Sequence, residues 1–430
     1  MPETTKTLSV NSKRAAFLKS ILENSSAVQV WGLGTFGGNL SLIKYLCKKG
    51  LAIQLYEQKS KGELKKSWDK ISEYHNNISA NWDCENPNFV PDQLLFISPA
   101  IKPTHPSMKG MPIELISTEI ELALCLLAEK NSHVHVIIGS VGKSTCASLI
   151  AKAIDTEVYG NIGRSILESL TKPPENCIIE LSSFQLHYLR LLNFLPSSFL
   201  CTPIKNNHID WHGDYDQYIN AKQKPLSFWK KNNVLGFDMN NETPEKNKAL
   251  NLNISGSHNA NNANAVIALL KKIDLFKLNT IERIEKFKGL KHRFEIVNVY
   301  KNIRFINDSK ATSPEATQSA LASVHKRCLL ILQGVPQDEC ENKLLDLIHQ
   351  KCHTLVLISK MQNLFPEGLG NVYIKRYPSL TDFFKSTQWN SVPNLDVLLS
   401  PSAPSYDQFK NYEERGELFS SLAKALNGNL

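Results

Sequence analysis

No stretch of this chain approaches eighteen consecutive apolar residues, so no membrane-spanning helix and no membrane partner are expected. Met1 to Ser26 includes Lys and Arg but no apolar core behind them, which argues against a secretory leader. Metal-type cysteine pairs are missing as well. The nine cysteines, at 47, 84, 125, 146, 177, 201, 328, 340 and 352, are scattered and odd in number, which favours reduced structural thiols, a cytoplasmic setting and no zinc site. Nor is there a long basic tract. The net charge of +8 is spread along the chain, so nucleic acid is not an expected partner, and a solvated surface or anionic small substrates account for it. No repeat at solenoid spacing is evident. What remains is a globular chain of 430 residues with 42% hydrophobic content, too long for one ordinary core.

The most informative segment is an apolar run, His135 to Ile138, followed by Gly139-Ser140-Val141-Gly142-Lys143-Ser144-Thr145 and the helix-like Cys146 to Ile154. Strand, glycine turn and helix in this order aim backbone N–H groups and a positive helix end at phosphates. Lys143 would reach further phosphate oxygens, and Ser144 is placed for Mg2+. The full phosphate-loop pattern wants Gly where Ile137 stands, so a plain glycine turn with a solvated Lys shares the spacing.

A second glycine turn lies earlier. Ala27 to Trp31 reads as a buried strand, followed by Gly32-Leu33-Gly34-Thr35-Phe36-Gly37, an apolar helix pattern through Leu46, and the strand Ile53 to Tyr56 ending at Glu57. This βαβ unit suits a dinucleotide such as NAD, or any diphosphate that must approach a backbone closely, including a UDP-sugar. The first unit is expected to close near Leu95 to Ala100, with Lys102 to Pro112 as a linker. A second α/β unit starts at the phosphate loop and runs through Ile178-Ile179-Glu180 and Phe199-Leu200-Cys201. A third has strand-like runs at Ile303 to Ile306, Cys328 to Leu332, Thr354 to Ile358 and Leu395 to Leu399. The reading is three α/β domains: a Rossmann-like one over 1–102, a central P-loop ATPase-type one over 103–289, and a Rossmann-like one over 290–430. Lys230 to Asn253 reads as a surface excursion.

Polar clusters follow several of these runs. Glu180 ends a strand in the domain of the phosphate loop, where a carboxylate suits Mg2+ or is simply solvated. Asn161-Ile162-Gly163, Asn206 to Gly213, Ser257-His258-Asn259 and Asn307 to Thr312 are of the same kind, and singly each could be a cap or a turn.

Taken in order, these clusters resemble the Mur ligase family, ATP-dependent amide ligases of peptidoglycan precursor synthesis. The resemblance is carried by Gly142 to Thr145, Gly160 to Gly163, Glu180 to Leu186, His208-Ile209-Asp210 with His212-Gly213, Tyr218 to Lys222 and Gly256 to Asn259. It continues through Gly289 to Arg293, Ile306 to Thr312, Leu398 to Pro401 and Ser405 to Gly416. It implies that UDP-N-acetylmuramoyl-L-alanine is the acceptor, D-glutamate the incoming amino acid, ATP and Mg2+ the other requirements, and a monomer the working form.

Residue by residue, the resemblance implies that the Gly32, Gly34, Thr35, Phe36, Gly37 turn holds the UDP moiety, with Glu57 and Lys59 near the uracil. Gly139 to Thr145 would hold ATP phosphates, Asn262 would lie near the adenine, and Arg293 and Asp308 would reach the nucleotide. Ser144, Glu180, His208 and Lys222 would surround the metal, with Lys222 carbamylated. Lys310, Thr312, Ser405, Tyr406 and Tyr412 would bind D-glutamate, and Asn161 and Ser182 the muramoyl part. Lys143, Glu180, His208, Lys222 and Lys310 would carry the chemistry. The chain departs from the family pattern at Phe36, Ile138, Val141, Asn207 and Gln337, the last standing where a cationic side chain is usual. A ligase for another amino acid and a nucleotide-binding protein without ligase activity are the other readings.

Overall fold

The computed structural model describes residues 6–33, 38–205, 209–245, 250–254, 257–336, 342–363, 365, 368–392 and 394–427. Sixteen strands among them form three sheets. The first contains β1 (Ala27–Trp31), β2 (Ala52–Tyr56), β3 (Ile78–Asn81), β4 (Leu95–Ile97) and β5 (Ile116–Ser117), all parallel, in the order β3-β2-β1-β4-β5. The second contains β6 (His133–Ile138), β7 (Val158–Gly160), β8 (Asn176–Glu180), β9 (Ser198–Cys201) and β10 (Leu235–Asp238), again parallel, in the order β10-β9-β6-β8-β7. The third contains β11 (Glu295–Tyr300), β12 (Ile303–Asn307), β13 (Cys328–Gln333), β14 (Cys352–Ile358), β15 (Tyr373–Tyr377) and β16 (Asp396–Leu399). Its order is β11-β12-β16-β13-β14-β15, with β11 antiparallel and the rest parallel.

The central strands are buried on both faces, which is why they read as continuous apolar runs rather than alternating ones. β13, Cys-Leu-Leu-Ile-Leu-Gln, is buried throughout: Leu330 and Leu332 enter one core of the third sheet, Leu329 and Ile331 the other. Gln29 interrupts the apolar run of β1 without penalty. Its amide donates to the Val90 carbonyl at 3.0 Å and accepts from the Val90 N–H at 2.7 Å.

Two expectations are corrected. The first sheet does not stop before Lys102: β5 extends it to Ser117, beyond the proline-rich stretch expected to be a linker. Two residues of strand leave no periodicity to detect. The segment 230–253 is not wholly a surface excursion either, because Leu235–Asp238 is the edge strand β10, with Phe237 and Asp238 buried beside β9. The Asn and Lys residues around it masked so short a run.

The chain forms two compact units, one of residues 1–251 with 258–286 and one of 252–257 with 287–430. Within the first unit, the first two sheets share a single buried core running from Leu8 and Val28 to Trp229. The segment ahead of β1 is part of it. Leu8 donates its N–H to Ser132 O at 3.3 Å, Ser9 and Leu195 exchange backbone bonds at 3.0 and 2.7 Å, and Asn11 N–H donates to Leu192 O at 2.9 Å. The helix Ser12–Asn24 then places Arg14 against Glu121, both buried, with Nε–Oε1 and Nη2–Oε2 at 2.8 Å. Arg14 also donates to the carbonyls of Glu114 and Ile116, and the Ser117 hydroxyl donates to Glu121 at 2.7 Å.

A buried bidentate pair with its remaining groups bonded is costly to halve, because the survivor is left charged in an apolar setting. Glu121→Ala should therefore lower unfolding stability by about 3 kcal/mol, read from urea denaturation, whereas the double change Arg14→Met with Glu121→Leu should cost less than Glu121→Ala alone.

Candidate active site

The phosphate loop follows β6, which lies between β8 and β9, the strands on either side of the sheet's reversal of order. In doubly wound sheets this carboxyl-end crevice is where ligands bind. Gly139 has φ +127°, and a side chain there would collide with the Thr202 hydroxyl and carbonyl. Gly142, at φ +90°, precedes the helix Lys143–Ile154, so the N-terminal N–H groups of that helix open toward the loop. Ser140 N–H donates to Pro203 O at 3.0 Å, and Lys143 folds back to donate to the Ser140 carbonyl at 3.0 Å. Ser144 is buried beneath the turn. Asn262, expected near adenine, packs its side-chain amide against Gly142, where an added Cβ would lie 2.9 Å from its Oδ1.

Glu180 ends β8 beside this loop. Its Oε1 accepts from Asn161 Nδ2 at 2.8 Å, while Oε2 is buried with no hydrogen-bond partner among the described residues. An orphaned buried carboxylate oxygen is costly unless a cation or a donor completes it, so the donor set fits a hard metal ion such as Mg2+. Ser182 caps the next helix, Ser183–Tyr188, in a reciprocal capping box with Gln185.

Lys222 approaches from the helix Tyr215–Lys231. It is 1% exposed, and its Nζ donates to the Gly139 carbonyl at 2.7 Å. Burial, reinforced by the charge of Lys143, pulls its pKa down to about 7. A sequence-based reading treats an isolated lysine as solvated; here the amine is part of the floor of the phosphate loop. His208 lies outside the described residues, as do Gly34, Thr35, Phe36, Gly37, Asn207 and Gln337.

At the end of the first sheet, Gly32 has φ +87° and lies against Ser98 after β4. Glu57 is buried and turned inward: Oε2 accepts from Leu33 N–H at 2.7 Å and Oε1 from Lys59 N–H at 3.0 Å. The acidic residue after β2 thus braces the glycine turn. Trp211 Nε1 and the Tyr188 hydroxyl join the two sheets by donating to Ala100 O and Ile101 O at 3.0 and 2.8 Å.

In the second compact unit, the carboxyl ends of β12, β13 and β16 gather a separate polar cluster. Lys310 Nζ donates to the Tyr412 hydroxyl at 2.8 Å and lies 4.1 Å from that ring's centre. Arg415, fully buried, supports the cluster by donating to Ser309 Oγ and the carbonyls of Ser309, Gln333 and Ala403 at 2.8–3.1 Å. Burial lowers its pKa to about 9. Asp308 is held by the Ser400 hydroxyl at 2.8 Å and Phe294 N–H at 3.1 Å, and burial raises its pKa to about 7 despite nearby Arg293. Thr312 is half-buried, Ser405 is buried in the loop after β16, and neighbouring Tyr406 is exposed.

Residues 137–246 match the Mur ligase middle domain. The fold is that of solved Mur ligases: UDP-N-acetylmuramate-alanine ligase MurC from Thermotoga maritima superposes with a TM-score of 0.58 at 16% identity, covering 93% of this chain and all of the other. MurF from Acinetobacter baumannii gives 0.52 at 14% identity, over 71% and 79% of the two chains. Residues 137–246 thus carry a Mur ligase middle domain, and the chain as a whole has the fold of the Mur ligases.

Along nearly its whole length the sequence is similar to UDP-N-acetylmuramoylalanine--D-glutamate ligases. Those of Fervidobacterium nodosum and Buchnera aphidicola are each 29% identical to it, over 92% and 93% of this chain and 98% of each relative. That of Shewanella violacea is 28% identical over 94% and 97%.

The site yields one prediction directly. Gly139→Ala forces a Cβ into Thr202 at a backbone angle L-residues avoid, so it should destabilise the fold by about 2 kcal/mol in thermal melts and weaken ATP binding measured calorimetrically.

Proposed function

We propose that this protein is an ATP-dependent amide ligase that adds D-glutamate to UDP-N-acetylmuramoyl-L-alanine, releasing ADP and phosphate. The observation that carries the reading is the convergence of Lys143, Glu180 and the buried Lys222 on one glycine loop, in a chain similar along nearly its whole length to ligases named for that reaction. A carboxylate and an amine do not condense in water. Transfer of the ATP γ-phosphoryl group to the acceptor's L-alanine carboxylate makes an acyl phosphate, which the D-glutamate amine attacks as phosphate departs.

In such a transfer the protein's contribution is placement and charge neutralisation. Lys143, now resting on the Ser140 carbonyl, turns to the phosphates, and the helix N-terminus at Lys143–Thr145 supplies N–H donors. Ser144, Glu180, His208 and Lys222 would hold Mg2+, which when bound neutralises phosphate charge. In the second unit, Lys310 with Tyr412, Thr312 and Ser405 would receive the two carboxylates of D-glutamate. The glycine turn at Gly32, braced by Glu57, would face the UDP diphosphate. The eight described cysteines are free, which accords with a reducing cytoplasm.

Lys222 enters this reading as a carbamate. Its neutral amine adds to CO2, forming an N–C bond and releasing one proton, and the product is an anion with oxygen donors suited to Mg2+. The remaining N–H can still donate to Gly139 O. The amine is mostly ammonium at pH 6 and mostly neutral at pH 8, because its pKa is near 7. At fixed CO2 pressure, the carbamate signal in 13C NMR should therefore grow from pH 6 to pH 8 and be missing in Lys222→Ala. That variant should lose at least about a hundredfold in ligation and regain part of it with high acetate. Near-normal ligation by Lys222→Ala without additive rules out the carbamate.

The overall test is ADP release with ATP, the UDP-linked acceptor and a panel of D- and L-amino acids. Release that needs both acceptor and D-glutamate is expected. Release with a different amino acid points to another ligase specificity, and ATP binding without any release points to a non-catalytic nucleotide-binding protein.

A further inference from the structure

The helix that delivers Lys222 also delivers Tyr218, one turn earlier on the same face. Tyr218 is 1% exposed, its ring wedged between His212, at 5.4 Å edge-on, and Lys222 Nζ, at 5.1 Å from the ring centre. Its hydroxyl meets the side chain of Ser140, the second residue of the phosphate loop. Ser140 has other partners: Oγ donates to Lys205 O at 3.1 Å and accepts from Lys205 N–H at 3.0 Å. A serine hydroxyl has one proton to give and two lone pairs to receive with. With its proton committed to Lys205 O, Ser140 accepts from Tyr218, and Tyr218 is the donor.

That assignment has a physical result. The Ser140 side chain is held at its full hydrogen-bonding capacity, and the Ser140 carbonyl, which Lys143 occupies, is fixed with it. From one helix, therefore, the loop is gripped at two successive residues: Lys222 at the Gly139 carbonyl and Tyr218 at the Ser140 hydroxyl. We propose that Tyr218 is a positioning residue for the nucleotide, holding the phosphate loop in its ligand-ready shape through Ser140 without touching the phosphates. This rests on the ATP-dependent reading above.

The test is a double-mutant cycle on the full chain, with ATP affinity measured by calorimetry and steady-state constants by ADP release. Tyr218→Phe keeps the ring packing and removes only the donor. It should weaken ATP binding roughly three- to tenfold, the worth of one neutral hydrogen bond, and raise KM for ATP while KM for the UDP-linked acceptor stays unchanged. In a Ser140→Ala background the same change should have less than about a twofold effect, because the acceptor is already gone. An equal loss in both backgrounds, unchanged ATP affinity in Tyr218→Phe, or a parallel rise in both KM values overturns the proposal. If Tyr218→Phe fails to fold, Ser140→Ala must by itself raise KM for ATP selectively, and a Ser140→Ala enzyme with wild-type ATP affinity overturns it. Wild-type protein that binds no ATP overturns the functional reading together with this one, whereas wild-type binding with an unaffected Tyr218→Phe overturns this one alone.

Discussion

The contact on which the first unit turns is the bond from the Lys222 amine to the Gly139 carbonyl. Burying an ammonium ion is expensive, and this chain offers Lys222 no carboxylate at bonding distance among the described residues. The cost is lowered because burial, with the charge of Lys143, pulls the amine's pKa down to about 7. Everything around it is arranged to hold the helix Tyr215–Lys231 in place. Trp229, at its far end, is fully buried and donates to Phe194 O at 2.9 Å, and Asp214 caps its start by accepting from Gln217 N–H at 2.7 Å. Gly139 must be glycine because Thr202 lies directly beneath it.

The second unit solves a related problem in another way. Arg415 is as buried as Lys222 but remains a guanidinium, and the strand ends are shaped around it so that carbonyls of three separate segments point inward to its N–H groups. A planar fork with five donors can gather loops in this manner, whereas a lysine could satisfy fewer of them. The Lys310 and Tyr412 pair sits on that frame through Ser309, whose hydroxyl bonds both Arg415 and the Tyr412 carbonyl.

The phosphate loop, β1, β4, β8 and the central strands of the third sheet were legible because buried parallel strands leave unbroken apolar runs that glycine or polar turns close off. β5 and β10 were not, being two and four residues long, and β15, Tyr-Ile-Lys-Arg-Tyr, carries charges on a largely open edge. Among the candidate site residues, the loop and Glu180 stood out by their position in the pattern. Lys222 and Lys310 needed the family resemblance, since a lone lysine carries no sign of burial. Tyr218 was within reach of pattern reasoning, four residues before Lys222 on one helix face, but its partner Ser140 is 78 residues away and no local rule connects them. Glu57 was placed correctly after β2, yet that its carboxylate would turn back to brace its own glycine loop depends on tertiary geometry alone.

The shared core of the first two sheets also bears on how the chain is made. Leu8, Ser9, Asn11 and Arg14 take their long-range partners from residues 114–132 and 191–195, so the packing of this segment is not complete until the chain has been made as far as Leu195. At ordinary elongation rates that delay is on the order of ten to forty seconds. For that interval the apolar face of Leu18 and its neighbours is open to chaperones and to other nascent chains, and slowing translation across residues 20–190 would lengthen the interval without altering a single native contact.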